Sequence, residues 1–163
     1  MSKSKKKKKA SVDPNQRMIA ENRKARHKFA ILETLECGIV LRGSEVKSLR
    51  DGKLSLEEAH GRVRGGEVWL VGSDIAVYPQ ASMMNHDPKR QRKLLMHKEQ
   101  VAKFACRAME KGLSLVPLKM YFKNGRVKVL MGLGKGKKLF DKRESLKKAD
   151  SKRHIDRVMK RRG

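Results

Sequence analysis

Apolar alternation stops at Gly134, and that stop divides the chain. Up to it, short runs of Val, Ile, Leu and Met recur at strand spacing. Beyond it, Lys135-Gly136-Lys137-Lys138-Leu139-Phe140-Asp141-Lys142-Arg143 opens a segment too polar to build a core of its own. A chain patterned in this way folds a body and carries the remainder as an arm.

Charge draws the same boundary. Of 163 residues, 42 are Lys or Arg and 17 are Asp or Glu, a net charge of +25. Residues 1–26 hold ten basic and two acidic side chains, residues 27–134 nineteen and eleven, and residues 135–163 thirteen and four. Both ends are denser in charge than the middle, the pattern of basic arms flanking a folded body. We therefore expect a disordered basic arm over residues 1–20, a body over 21–134 and a basic tail over 135–163. A field of this size attracts polyanions, nucleic acid first and an anionic membrane surface second. No apolar run approaches the ~18 residues of a membrane span, and Lys5–Lys9 is not followed by an apolar signal segment. The expectation is a cytoplasmic protein without a membrane partner. Cys37 and Cys106 stand far apart with no Cys-x-x-Cys spacing, so they read as two reduced, partly buried thiols.

Within the body, Phe29–Leu35 predicts a mostly buried strand interrupted by Glu36-Cys37-Gly38, and Ile39, Leu41 and Val46 continue it in extended form. Leu54–Ala59 predicts one helical turn. Arg64-Gly65-Gly66-Glu67 predicts a hairpin loop before Val68–Val71, with a further strand over Ile75–Tyr78. Spacings of three and four from Leu94 to Met109 predict a long helix over 90–111, stopped by Gly112. Asn124-Gly125 between two apolar runs predicts a hairpin over 113–133. About six short strands with a long helix suggest a mainly β protein: a small closed barrel of the oligonucleotide-binding type, with about three peripheral helices.

Catalytic patterns are missing. Gly132–Lys138 lacks the P-loop spacing. The histidines at 27, 60, 86, 97 and 154 show no metal-binding pairing. No Gly-x-Ser-x-Gly is present, and Glu33, Glu36, Glu45, Glu57 and Glu58 show no acid–base pairing motif. We expect no catalytic residues, no metal and no cofactor. What remains is a surface for RNA or DNA, where lysine and arginine neutralise phosphates. Of seven aromatic residues, Phe29, Trp69, Phe104 and Phe122 sit in apolar runs and read as core. Phe140 lies between basic residues and is the candidate for stacking on a base.

Several blocks then occur in a telling order. They are Glu21-Asn22-Arg23-Lys24-Ala25-Arg26-His27; Glu36-Cys37-Gly38-Ile39; Leu41-Arg42-Gly43-Ser44-Glu45-Val46-Lys47-Ser48-Leu49-Arg50; Asn85-His86-Asp87-Pro88 before Arg90-Gln91-Arg92-Lys93-Leu94-Leu95; and Lys135–Arg143. In these blocks the chain resembles the small protein B family of SsrA-binding proteins, over residues 21–163. The resemblance implies a β-barrel of oligonucleotide-binding type that binds the tRNA-like domain of transfer-messenger RNA and delivers it to stalled ribosomes. It also implies a tail that is disordered when free and helical in the decoding centre and empty message channel. Elongation factor Tu and alanyl-tRNA synthetase are then expected to act on the same RNA, and the chain to be a monomer.

Under that resemblance the expected RNA-binding residues are Asn22, Arg23, Lys24, Glu36, Lys47, Arg50, His86, Arg90, Lys93, Lys135, Lys137 and Lys138. Glu36 either bonds to base amino groups or forms a structural ion pair. The expected decoding-centre residues are Phe140, Asp141, Lys142 and Arg143, with Asp141 as helix cap and Glu144 three residues on. Phe140 stands where the family often has Tyr or His, and Gly134 where it commonly has Ala. A ribosomal or ribosome-assembly protein gripping ribosomal RNA with basic tails is the alternative reading of the same charge pattern.

Overall fold

Strand residues dominate the body because β-branched and other apolar side chains alternate with polar ones over most of its length. A computed structural model describes residues 16–110 and 112–161. In chain order the elements are β1 (Gln16–Glu21), α1 (Arg23–Lys28), β2 (Phe29–Ile39), α2 (Gly43–Arg50), β3 (Leu54–Ser55), β4 (His60–Arg64), β5 (Glu67–Val71), β6 (Asp74–Ile75), a 3₁₀ segment (Pro79–Met84), β7 (Arg92–Leu95), α3 (Lys98–Ala108), β8 (Leu113–Lys123), β9 (Arg126–Gly136) and α4 (Leu139–Arg161). The described residues are thus mainly β with four α-helices, where about three were expected.

Seven strands form one antiparallel sheet in the order β1-β8-β4-β5-β7-β2-β9, and β9 also pairs with β8. The pairings therefore run through six strands and return to the first, with β1 added along β8. Strands β3 and β6 form a separate pair. Val68, Leu70, Leu94, Leu115, Met120, Val129, Met131 and Leu133 point inward, joined by Leu49 of α2 and Phe104 of α3. A smaller cluster of Ala25, Val116 and Leu118, with Phe29, Ile31 and Leu130, lies between α1 and the outer face of the sheet.

Two bulges explain how one strand serves both clusters. In β2 the register shifts between Ile31 and Glu33, so Phe29 and Ile31 face α1 while Leu35, Cys37 and Ile39 face the main core. In β8 it shifts between Pro117 and Lys119, so Leu113 and Leu115 point inward before the bulge and Met120 and Phe122 after it. An extra residue reverses the side-chain phase and bends the strand. Glycine also permits close approach between paired strands. A Cβ on Gly61 would stand 2.7 Å from Leu115 Cβ, where β4 crosses β8, and one on Gly134 would stand 2.8 Å from Phe29 Cβ.

Six expectations need correction, the first being the strand over Ile75–Tyr78, of which only Ile75 lies in a strand, the two-residue β6 paired with β3. Residues 16–20 of the expected disordered arm form β1, because a backbone edge on β8 is available to pair with them; residues 1–15 lie outside the described residues. Residues 36–38 do not interrupt β2. Gly43–Arg50 is a helix, because its buried face is Glu45, Ser48 and Leu49 and so carries little apolar signal. Leu54–Ala59 begins as a short strand rather than a helical turn. The expected helix over 90–111 is split, with Arg92–Leu95 a strand between β5 and β2 and the helix starting only at Lys98. The hairpin loop at Gly65-Gly66 and the hairpin at Asn124-Gly125 fall where expected, all four residues at positive φ.

Candidate nucleic-acid interface

Alternation that buries one side of each strand turns the other outward, and here the outward residues are largely basic. On β8 and β9 these are Lys119, Tyr121, Lys123, Arg126 and Lys128; on β2, Glu36 and Gly38; on β7, Lys93 and Leu95; on β4, Arg62 and Arg64.

Glu36 is the acidic centre of the hairpin end of this surface. Its carboxylate accepts a short hydrogen bond from the Tyr121 hydroxyl and pairs at 3.1 Å with Lys123 Nζ. The Lys119 ammonium stands 5.2 Å from the centre of the Tyr121 ring. The Tyr121 bond, aided by Lys123 and Lys128 against partial desolvation, holds the Glu36 carboxyl below the usual carboxylate range. Burial, together with Glu36, pushes the Tyr121 hydroxyl up, so it remains a donor. A depressed folded pKa stabilises the fold above the unfolded carboxylate pKa, and that contribution is lost as pH falls through the folded value. Tyr121→Phe is expected to move the Glu36 titration to higher pH, followed by carboxyl carbon NMR. An unmoved titration would contradict the assignment. Of the two expected roles for Glu36, the ion pair is formed within the protein.

The other expected contacts fall into distinct places. Asn22 is buried: its side chain caps α1 by accepting from the Ala25 N–H at 3.0 Å and donates to the Leu56 carbonyl at 2.7 Å. His86 is buried too, its Nε2–H donating to the Ile75 carbonyl at 2.9 Å, which leaves Nδ1 to accept from the Ser44 hydroxyl at 2.9 Å. Both side chains hold loops. Arg90 is 24% exposed and makes a forked pair with Glu45 at 3.1 and 2.7 Å. Arg23 and Lys24 are exposed on α1, Lys24 paired with Glu57. Lys47 and Arg50 are exposed on α2, with Lys47 5.5 Å from the Tyr78 ring centre and Arg50 accepting through its carbonyl from Arg17 at 3.0 Å. Lys93 is paired with Glu67. Lys135 is exposed one residue before the end of β9, and Lys137 clips the tail to α1, its N–H bonding the Lys28 carbonyl at 2.9 Å and its ammonium the Arg26 carbonyl at 3.1 Å. Lys138 is exposed. The expected face is therefore three basic neighbourhoods, on α1, on α2 and on the outer sheet.

Sequence reading missed the group that orders the loop between β6 and β7. Glu45 and Arg92 are both fully buried and bonded at 2.9 Å. Arg92 donates further to Ser73, Pro88 and Arg90 oxygens, each at 2.9 Å, and Glu45 also accepts from the Arg42 N–H at 2.6 Å. Burial works against charge on both. For Glu45 the Arg90, Arg42 and Arg92 donors overcome it and hold the carboxyl below its usual range. Arg92 is shifted downward by the same desolvation, against the attraction of Glu45. The two thiols differ: Cys37 is buried, its pKa pushed up to about 12 by desolvation, and Cys106 is exposed.

The tail is helical over Leu139–Arg161, where a disordered free state was expected. Asp141 is the third residue of the helix rather than its cap. Its carboxylate accepts from the Lys138 N–H at 3.2 Å, the back-bond of a capping box. Glu144–Lys148 and Asp150–Arg153 pairs lie along the helix. Leu139 and Phe140 are exposed, Lys142 is half-exposed and Arg143 exposed. No group of three or more His, Cys, Asp or Glu side chains able to hold a metal occurs among the described residues, and no described helix is long and apolar enough to cross a membrane.

Fold and surface define a class: a small, mainly β protein with a basic exterior and a projecting basic helix. A sequence model of the SmpB protein family matches residues 19–161, and the chain belongs to that family. It is 59% identical over 149 residues to the SsrA-binding protein of Rhodopirellula baltica, covering 91% of this chain and 85% of that one. It is 51% identical over 147 residues to the SsrA-binding protein of Thermosynechococcus vestitus, covering 90% and 97%. A solved chain described as "tmRNA-SmpB: a journey to the center of the bacterial ribosome" superimposes with a TM-score of 0.65 at 47% identity, covering 78% of this chain and 93% of that one.

Proposed function

We propose that this chain is an RNA-binding adaptor of the cytoplasm that holds the tRNA-like domain of transfer-messenger RNA and brings it to stalled ribosomes for trans-translation. The observation that carries the reading is the 47% identity and shared fold with a chain described together with transfer-messenger RNA and the bacterial ribosome. The cycle of strand pairings is consistent with a closed barrel of the oligonucleotide-binding type. Its exterior supplies phosphate ligands in the exposed Arg23, Lys24, Lys47, Arg50 and Lys135 and in Lys93, and a structured RNA offers phosphates and splayed loop bases to meet them.

The α4 helix supports the second half of the reading. It leaves the body at Lys138 and carries Phe140, Asp141, Lys142 and Arg143 on its first turns. We assign it to the decoding centre and the empty message channel, where ribosomal RNA neutralises its charge. Elongation factor Tu and alanyl-tRNA synthetase then act on the bound RNA, and the protein acts as a monomer without catalysis or cofactor.

Crosslinking the protein in cells and sequencing the attached RNA tests the proposal. Enrichment of transfer-messenger RNA, mapped to its tRNA-like domain, at occupancies well below one per ribosome is the expected result. Ribosomal RNA alone, at one copy per ribosome, would favour a permanent ribosomal protein.

A further inference from the structure

Trp69 is the one tryptophan of the chain, and it sits outside the core. In β5 the flanking Val68 and Leu70 are buried, so Trp69 between them faces outward and remains partly exposed. This corrects the expectation that an apolar run buries it. Register places Arg62 of β4 directly opposite Trp69 on one side and Lys93 of β7 on the other. Directly opposed residues share a sheet face, so Arg62, Trp69 and Lys93 form one row across three strands. His60 and Arg64 stand on the same face of β4, two residues to either side of Arg62. Glu67, paired with Lys93, is the acidic group facing this row.

A large aromatic surface outside the core, between cations, has a specific use. Indole stacks on any nucleobase, and flanking guanidinium and ammonium groups meet the phosphates on either side. Salt-dependent charge and sequence-tolerant stacking together fit a single-stranded or splayed nucleotide rather than a protein partner, whose contact face would be depleted in lysine. We infer that the Arg62–Trp69–Lys93 row binds an unstacked nucleotide of a structured RNA, the base on Trp69 and its phosphate on Arg62. This rests on the proposed binding of transfer-messenger RNA and assigns it a further contact.

Trp69 also reports the test, since excitation beyond the tyrosine absorption band selects this residue over Tyr78 and Tyr121. Titration with transfer-messenger RNA is expected to quench it with the midpoint found by gel mobility shift. Trp69→Leu is expected to weaken binding about 5- to 150-fold, the range for loss of one base–aromatic stack, with its salt dependence unchanged. Trp69→Phe is expected to bind near the parent. Arg62→Ala is expected to lower the salt slope by about one unit. Thermal unfolding of each variant confirms that the fold is retained. Binding by mobility shift without quenching, or equal affinity for Trp69→Leu and Trp69→Phe, overturns the row while leaving the adaptor function standing. Loss of ribosome association with RNA affinity unchanged reassigns the row to the ribosome and overturns it too. No mobility shift with the parent protein removes both proposals.

Discussion

Arg92→Met is expected to lower the unfolding free energy by about 3–5 kcal/mol, the cost of removing one partner from a buried ion pair. The reason is where its donors go. Arg92 is fully buried and serves Glu45, both Ser73 oxygens and the carbonyls of Pro88 and Arg90. Methionine fills the volume but withdraws these hydrogen bonds in a place water does not reach, and the Pro88 carbonyl keeps only the Ile75 N–H. Glu45 keeps its Arg42 and Arg90 bonds yet loses the fully buried cation beside it. Lysine is no substitute, because one ammonium cannot reproduce a planar fork spanning two loops. Urea unfolding followed by circular dichroism gives the number, and a loss below about 1 kcal/mol would sink the idea. In the double variant with Glu45→Gln the two losses are expected to be less than additive, since each removes the same interaction. The pH dependence follows from Glu45. Its depressed folded pKa stabilises above the unfolded carboxylate value, and the contribution disappears as pH falls through the folded one. In Glu45→Gln the acid limb of the stability curve is therefore expected to flatten.

That pair also shows what a sequence displays and what it hides. The β8–β9 hairpin was legible because Asn124-Gly125 fixes the turn and regular alternation in β9 fixes the register. The β4–β5 hairpin was legible for the same reason. Arg92 was not, because an arginine in a basic chain looks like surface, and only the loop folded around it makes it core. Leu94 and Leu95 misled in the opposite direction. Their spacing to Val101 mimics a helix, yet one points inward and the other outward from a strand. Bulges blurred β2, since an extra residue at Leu32 reverses the apolar phase and makes the strand look buried on both sides. At the candidate interface, residue type was legible and exposure was not. Asn22 and His86, expected at the RNA face, are buried side chains that hold loops, whereas Trp69, expected in the core, faces outward. A strict reading of β5, with Val68 and Leu70 on one side, would have placed it correctly.

Truncation after Lys138 is expected to separate two activities of the proposed adaptor. Transfer-messenger RNA affinity should fall by less than about tenfold, while peptide tagging on stalled ribosomes should drop to background. The cut is placed by structure. Lys137 bonds the Lys28 and Arg26 carbonyls and completes the packing of α1, so a shorter body would lose that clip. Beyond Lys138, α4 touches the body mainly through α1. At 1.5 Å per residue its 23 residues extend about 35 Å, far enough to reach a second site while the body holds RNA at the first. Residues 139–163 remove ten basic and four acidic side chains, so some non-specific attraction goes with them, and that loss should vanish as salt is raised. The helix itself is lightly supported. Its ion pairs are exposed and worth a few tenths of a kcal/mol each, and Leu139, Phe140, Ile155 and Met159 are left facing outward. Such a helix draws its lasting order from what it binds. Both readouts belong in one reconstituted translation system, with RNA binding measured at two salt concentrations. Equal loss of binding and tagging at high salt would mean that the helix is part of the RNA-binding body, and the two-part adaptor would have to be abandoned.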